Sequence, residues 1–199
     1  MAETIFEKYD TSELNVAIGL AARLQADTVT KGGMLHVTLP GSTETVDLKV
    51  LEIGKIDPDI LRPDQMTDPA TQDRSPMPGM LVDLGPLFGE TEDDGVYQNT
   101  VSVTFDPDPA HKIPAASKET LERYKVGAAN QEAYQEKFGG TEIFRMNLKF
   151  LHGMQPPEVL PVTAAELSAV GMNAAAAELE SAAPVNRDPV PVPSTAPRN

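Results

Sequence analysis

Thirty carboxylates and three histidines are the side chains best suited to proton transfer or ion binding in this chain of 199 residues, and their spacing limits what they can do. His36 lies in a stretch that alternates like a strand, His111 follows the run Asp106-Pro107-Asp108-Pro109, and His152 ends a second alternating stretch. No His-Glu-x-x-His spacing is present to hold zinc, and there is no cysteine to complete a thiolate set. A serine nucleophile would need a base and an orienting acid, and the Gly-x-Ser-x-Gly elbow is missing. Gly32-Gly33 and Gly139-Gly140 lack both the Lys-Ser/Thr ending of a phosphate loop and the third glycine of a dinucleotide fingerprint, so both pairs read as turns. The expectation is a non-enzymatic protein with no catalytic residue, no cofactor and no metal ligand.

The acids are unevenly spread. Between Asp57 and Asp94, ten acids (Asp57, Asp59, Asp64, Asp68, Asp73, Asp83, Glu90, Glu92, Asp93, Asp94) face two bases (Arg62, Arg74), a net of -8 within a chain whose total is -14. Asp57, Asp59, Asp64 and Asp68 offer calcium hard oxygens, as do Asp106 and Asp108, but neither run has the spacing of an EF-hand loop. A solvated acidic loop, or a surface for basic partners, is the better reading. The overall charge argues against broad contact with a phosphate backbone. The leader Met1–Lys8 has acids where a signal peptide needs a basic segment, and no stretch approaches the ~20 apolar residues of a membrane-spanning helix. A soluble cytoplasmic protein, or one assembled there, is expected.

Two strands stand out among the elements that must position these groups. From Thr141 to His152, Phe144, Met146, Leu148 and Phe150 alternate with Arg145, Asn147 and Lys149. From Val96 to Phe105, Tyr97, Val101, Val103 and Phe105 alternate with Gln98, Thr100, Ser102 and Thr104, which predicts one apolar and one wetted face. Asp10 is placed to cap a helix with Leu14, Ala17, Ile18, Ala21 and Leu24 on one stripe, interrupted by Gly19. Met34–Leu39 and Thr45–Ile53 read as a hairpin around Pro40–Glu44. Ser117 opens a helical region through Phe138 that Gly127 divides, and Thr163 with Glu166 forms a capping box for a helix to about Ser181. Prolines crowd residues 54–95, where only Met80–Leu84 resembles a strand. Prolines 189, 191, 193 and 197 favour an extended tail.

These elements predict an α+β fold: a small antiparallel, partly barrel-like sheet with three helical regions, a long acidic loop and a Pro-rich C-terminal tail. The expected division is a core over residues 1–160 that includes the loop 54–95, a helix over 161–183 and a tail over 184–199. Arms too polar to fold alone order by wrapping neighbours, so the expected function is a structural subunit of a large assembly, partnered by other subunits and by copies of itself. Compact β-cores with arms suit a virion, here a bacteriophage capsid-decorating or head-to-tail protein. One alternative is an acidic inhibitor or nucleic-acid mimic that binds a basic partner. Another is a barrel that binds single-stranded nucleic acid through Tyr97, Phe144 and Phe150, although core packing on the apolar side of their strands accounts for those rings better.

Overall fold

The computed structural model describes residues 9–58, 76–88, 99–151 and 157–182. Asp10 accepts hydrogen bonds from the N–H groups of Ser12 and Glu13 and so starts the first helix, α1 (Thr11–Gln25). Leu14, Ala17, Ile18 and Ala21 face the main core, as the stripe predicted. Leu20 and Leu24 face a second cluster with Leu121 and Tyr134, so α1 is buried on two sides. The cost of Gly19 inside this helix has a counterpart in packing, because a Cβ there would stand 2.8 Å from the Met146 methyl group.

The hairpin forms between β1 (Met34–Thr38) and β2 (Thr45–Ile56), with Leu35 opposite Leu48 and Val37 opposite Val46. Burial of Leu35, Val37 and Leu48, with Val46 partly buried on the same face, fixes the register, since a one-residue slip would turn Asp47 and Lys49 inward. β2 outruns β1 and pairs through Val50–Ile56 with β3 (Met77–Asp83), with a bulge between Val50 and Glu52. β3 pairs with β4 (Thr100–Phe105), and β4 pairs with β7 (Met146–Phe150). The result is an antiparallel sheet in the order β1-β2-β3-β4-β7. It does not close into a barrel, so the partly barrel-like expectation gives way to an open sheet with α1 lying against both edge strands.

Four further expectations are corrected. The centre of the sheet, β3, lies within the stretch read as an acidic loop, and the short helix α2 (Gly85–Phe88) follows it. The face of β4 expected to be wetted is buried: Thr100, Ser102 and Thr104 are each about 1% exposed, beside the small cluster of Ile56, Leu81 and Leu151. The long strand from Thr141 is broken at Phe144–Arg145, its first part, β6 (Glu142–Ile143), pairing instead with β5 (Ile113–Pro114). The C-terminal helix is likewise two helices, α5 (Ala164–Ala169) and α6 (Asn173–Ala182). Between them Gly171 takes φ +84°, its N–H bonds to Ser168 O and that of Met172 to Leu167 O, which is a Schellman stop. Leu167 and Met172 make its apolar contact, both buried.

The capping box of Thr163 and Glu166 forms as expected, and the Ser117 region is α3 (Lys118–Arg123) followed by α4 (Ala128–Phe138), with Gly127 between them. Six helices are present among the described residues. The leader 1–8, most of the acidic stretch (59–75 and 89–98), His152 and the tail from 183 lie outside them.

Two glycines separate backbone strain from close approach. A Cβ on Gly171 would meet nothing within 4 Å, so Gly171→Ala should cost only the left-handed conformation, about 1 kcal/mol. A Cβ on Gly79 would run into the carbonyl oxygen of Val103 in the next strand, so Gly79→Ala should cost about 3 kcal/mol or more. Urea denaturation of both variants checks this order, and equal losses would contradict the central placement of β3.

Candidate interaction face

Both edges of the sheet meet the last turn of α1. The Gln25 side-chain amide donates to His36 O at 2.7 Å and accepts from His36 N at 2.9 Å, filling the outward hydrogen-bonding positions of one residue of β1. Two residues earlier, Arg23 Nη1 donates to Phe144 O at 2.8 Å, just before β7 begins.

Among the described residues the β7 edge is otherwise open along its middle. Leu151 N bonds to Thr100 O and Asp106 N to Arg145 O, and antiparallel pairing alternates, so Asn147 and Lys149 turn their main-chain groups toward β4. The main-chain groups of Met146 and Leu148 therefore point away from the sheet. No described residue pairs with them. Their side chains are half-buried and, with Val16, Gly19 and Leu20 of α1, border a hollow of about 320 Å³.

Arg23 also borders a second hollow of about 320 Å³, lined by the end of α4, the β5–β6 ribbon and the turn after α5. Its floor is apolar, with Phe105, Ile143 and Val170 all buried. Its rim is cationic. Lys112 Nζ lies 4.5 Å from the centre of the Phe144 ring, and Lys137 Nζ lies 5.6 Å from that of Phe138 and 3.2 Å from Asp27 Oδ1. Burial pulls the Arg23 pKa down from its ordinary value, with the neighbouring Tyr134 phenol opposing the shift. Among the described residues no carboxylate forms an ion pair with Arg23 or Lys112.

The residues singled out by type are not brought together here. His36 pairs with Asp47 across the hairpin on an exposed surface. His111 sits at the other end of the sheet with Nδ1 2.7 Å from Asp106 Oδ2 and Nε2 3.6 Å from Asp108 Oδ2. Those aspartates are engaged by the loop itself, since Asp106 Oδ1 accepts from Asp108 N and Asp108 Oδ1 from Ala110 N. Among the described residues no three His, Asp or Glu side chains are placed to hold one metal ion. Of the rings considered for base stacking, Phe144 carries Lys112 over its face, Phe150 packs against the main core, and Tyr97 lies outside the described residues. The residues of this face were missed because Arg23, Lys112 and Lys137 are far apart in sequence and share no motif. The only local signal was Arg23 following an apolar helical stripe.

Comparison with protein-family models, with curated proteins and with solved structures finds no match to this chain.

Burial pushes the Asp106 carboxyl up, but the Asp108 N–H, the His111 ring and the Arg145 charge outweigh it and hold the pKa below its ordinary value. A carboxyl depressed in the folded state stabilises fully above its unfolded value of about 3.9, and that share is lost as pH falls through the lower folded value. Asp106→Asn should lower stability at pH 7 by about 1–3 kcal/mol and flatten the loss on acidification. Thermal melts from neutral to strongly acid pH check this, and an unchanged acid limb would contradict it.

Proposed function

We propose that the protein is a non-enzymatic structural subunit of a large protein assembly, a virion component of the capsid-decorating or head-to-tail kind, joined to its neighbours by strand addition at β7. The observation that carries this reading is the β7 edge, where no described residue pairs with the outward main-chain groups of Met146 and Leu148, which lie between half-buried apolar side chains. Natural edge strands are commonly blunted by charge, proline or a covering element, and an edge left open along an apolar strand is a template for another strand. Lys149 faces Ser102 and does not block the outward positions. The strand suits a second copy. In an antiparallel pair centred on Leu148, Met146 faces Phe150 of the other copy and Asn147 faces Lys149, so no like charges meet.

The acidic residues on either side of β3 and the Pro-rich tail support the same reading from the sequence, as polar, Pro-rich chain with enough length to reach a neighbour. Assembly occurs inside the host cytoplasm in this account, before incorporation into the particle.

Sedimentation velocity across a concentration series should show reversible self-association. Leu148→Pro removes an outward N–H that serves no bond to β4, so it should abolish association while circular dichroism stays unchanged. A chain that remains monomeric at every soluble concentration, or a folded Leu148→Pro variant that associates as before, would refute strand addition.

A further inference from the structure

The hollow between the end of α1, the end of α4 and the β5–β6 ribbon has properties that the open edge does not explain. It concentrates Arg23, Lys112 and Lys137 in a chain whose net charge is -14. Asp27 neutralises Lys137, at 3.2 Å, and the exposed Glu142 on the rim forms no ion pair among the described residues. Arg23 is half-buried, and among the described residues its five donors meet a single neutral acceptor, Phe144 O. A guanidinium taken out of water without a counter-charge is held at a cost that an incoming carboxylate would offset, and its planar fork fits a carboxylate with two parallel bonds. Below the cations the walls are Phe105, Ile143 and Val170, each less than a tenth exposed.

We infer that this cleft binds one carboxylate of a neighbouring protein, carried on a short extended peptide beside an apolar side chain. The carboxylate sits between Arg23 and Lys112, and the apolar side chain takes the floor. The volume of about 320 Å³ accommodates a side chain or two and excludes a folded domain. Charge selects the same ligand. A polyanion such as nucleic acid would meet the repulsion of a chain whose net charge is -14, whereas a single carboxylate is screened from charges beyond about 8 Å at physiological salt. The site thus reads a short acidic peptide, and it gives the assembly proposed above a second contact, independent of main-chain pairing at β7.

The test is a titration of the ¹⁵N-labelled full chain with a capped leucine–aspartate–leucine tripeptide, followed by amide shifts, beside the same peptide with asparagine at the centre and beside inorganic phosphate. The expected result is saturable shifts at Lys112, Ile143 and Phe144, with binding at least about tenfold weaker for the asparagine peptide. Arg23→Lys keeps the charge but loses the fork and should weaken binding severalfold. Because Arg23 also holds Phe144 O, Lys112→Gln provides a variant that leaves that bond in place, and it should weaken binding severalfold too. Leu148→Pro should bind the peptide as well as the natural chain does, so failure of strand addition and failure of the cleft are told apart. Equal binding of the two peptides, stronger binding of phosphate, or shifts confined to β7 would overturn the inference.

Discussion

An open sheet must do something with its two edges, and here one helix end reaches toward both. The last turn of α1 places Gln25 against His36 of β1 and Arg23 against Phe144 at the approach to β7. The two residues are two positions apart on the helix, so they project to different sides and reach opposite edges. This works because α1 is apolar on two sides: Leu14, Ile18 and Ala21 lie on the sheet, while Leu20 and Leu24 receive α3 and α4. A helix buried this way cannot shift toward one edge without opening a void against the other layer. The two clamps are unequal. Gln25 fills both outward positions of its residue, whereas Arg23 occupies one carbonyl, and no described residue pairs with the outward main chain of Met146 and Leu148 beyond it.

The sheet has a second constraint on the face away from α1. Gly54, Gly79, Thr104 and Asn147 stand in one row across four strands. The two glycines leave no Cβ where space is shortest, since one on Gly54 would lie 2.6 Å from Leu160 O. Leu160 needs that approach, because it exchanges hydrogen bonds with Lys55 at 3.0 and 2.9 Å and covers the part of β2 that β1 does not reach. The chain after β7 is therefore tied back to the opposite side of the sheet before α5 begins, where Lys55 also meets Glu166 at 3.2 Å. Closing this segment over bare backbone helps explain why Ser102 and Thr104 are buried although their side chains are polar.

What was legible in the sequence follows from which signals are local. Caps at Asp10, Ser117 and Thr163, and the register of the β1–β2 hairpin, depend on residues a few positions apart and were all readable. The central strand was legible only in part, as Met80–Leu84 within a loop, because a strand buried on both faces loses its alternation and Pro78 and Gly79 at its start resemble loop residues. Thr100, Ser102 and Thr104 misled for a related reason: alternation reports polarity, but whether a second layer covers the polar face is decided by distant chain. The Schellman stop at Gly171 was visible as a glycine, yet the alanine run after it masked the break. The interaction face was the least legible part, since its cations come from α1, α4 and the loop before β5 and only the fold assembles them.

The proposed strand addition depends on α1 covering the β1 edge while the described residues leave the middle of β7 uncovered. Native-state hydrogen exchange on the isolated chain tests that claim most directly, by comparing the opening free energies of buried α1 amides (Leu20–Ala22) with those of Leu35 and Val37 in β1 and Asn147 and Lys149 in β7. If α1 secures both edges, all three sets share one opening free energy and one denaturant dependence. If the β1 amides stay protected after α1 has opened, the hairpin stands without the helix and the account is wrong.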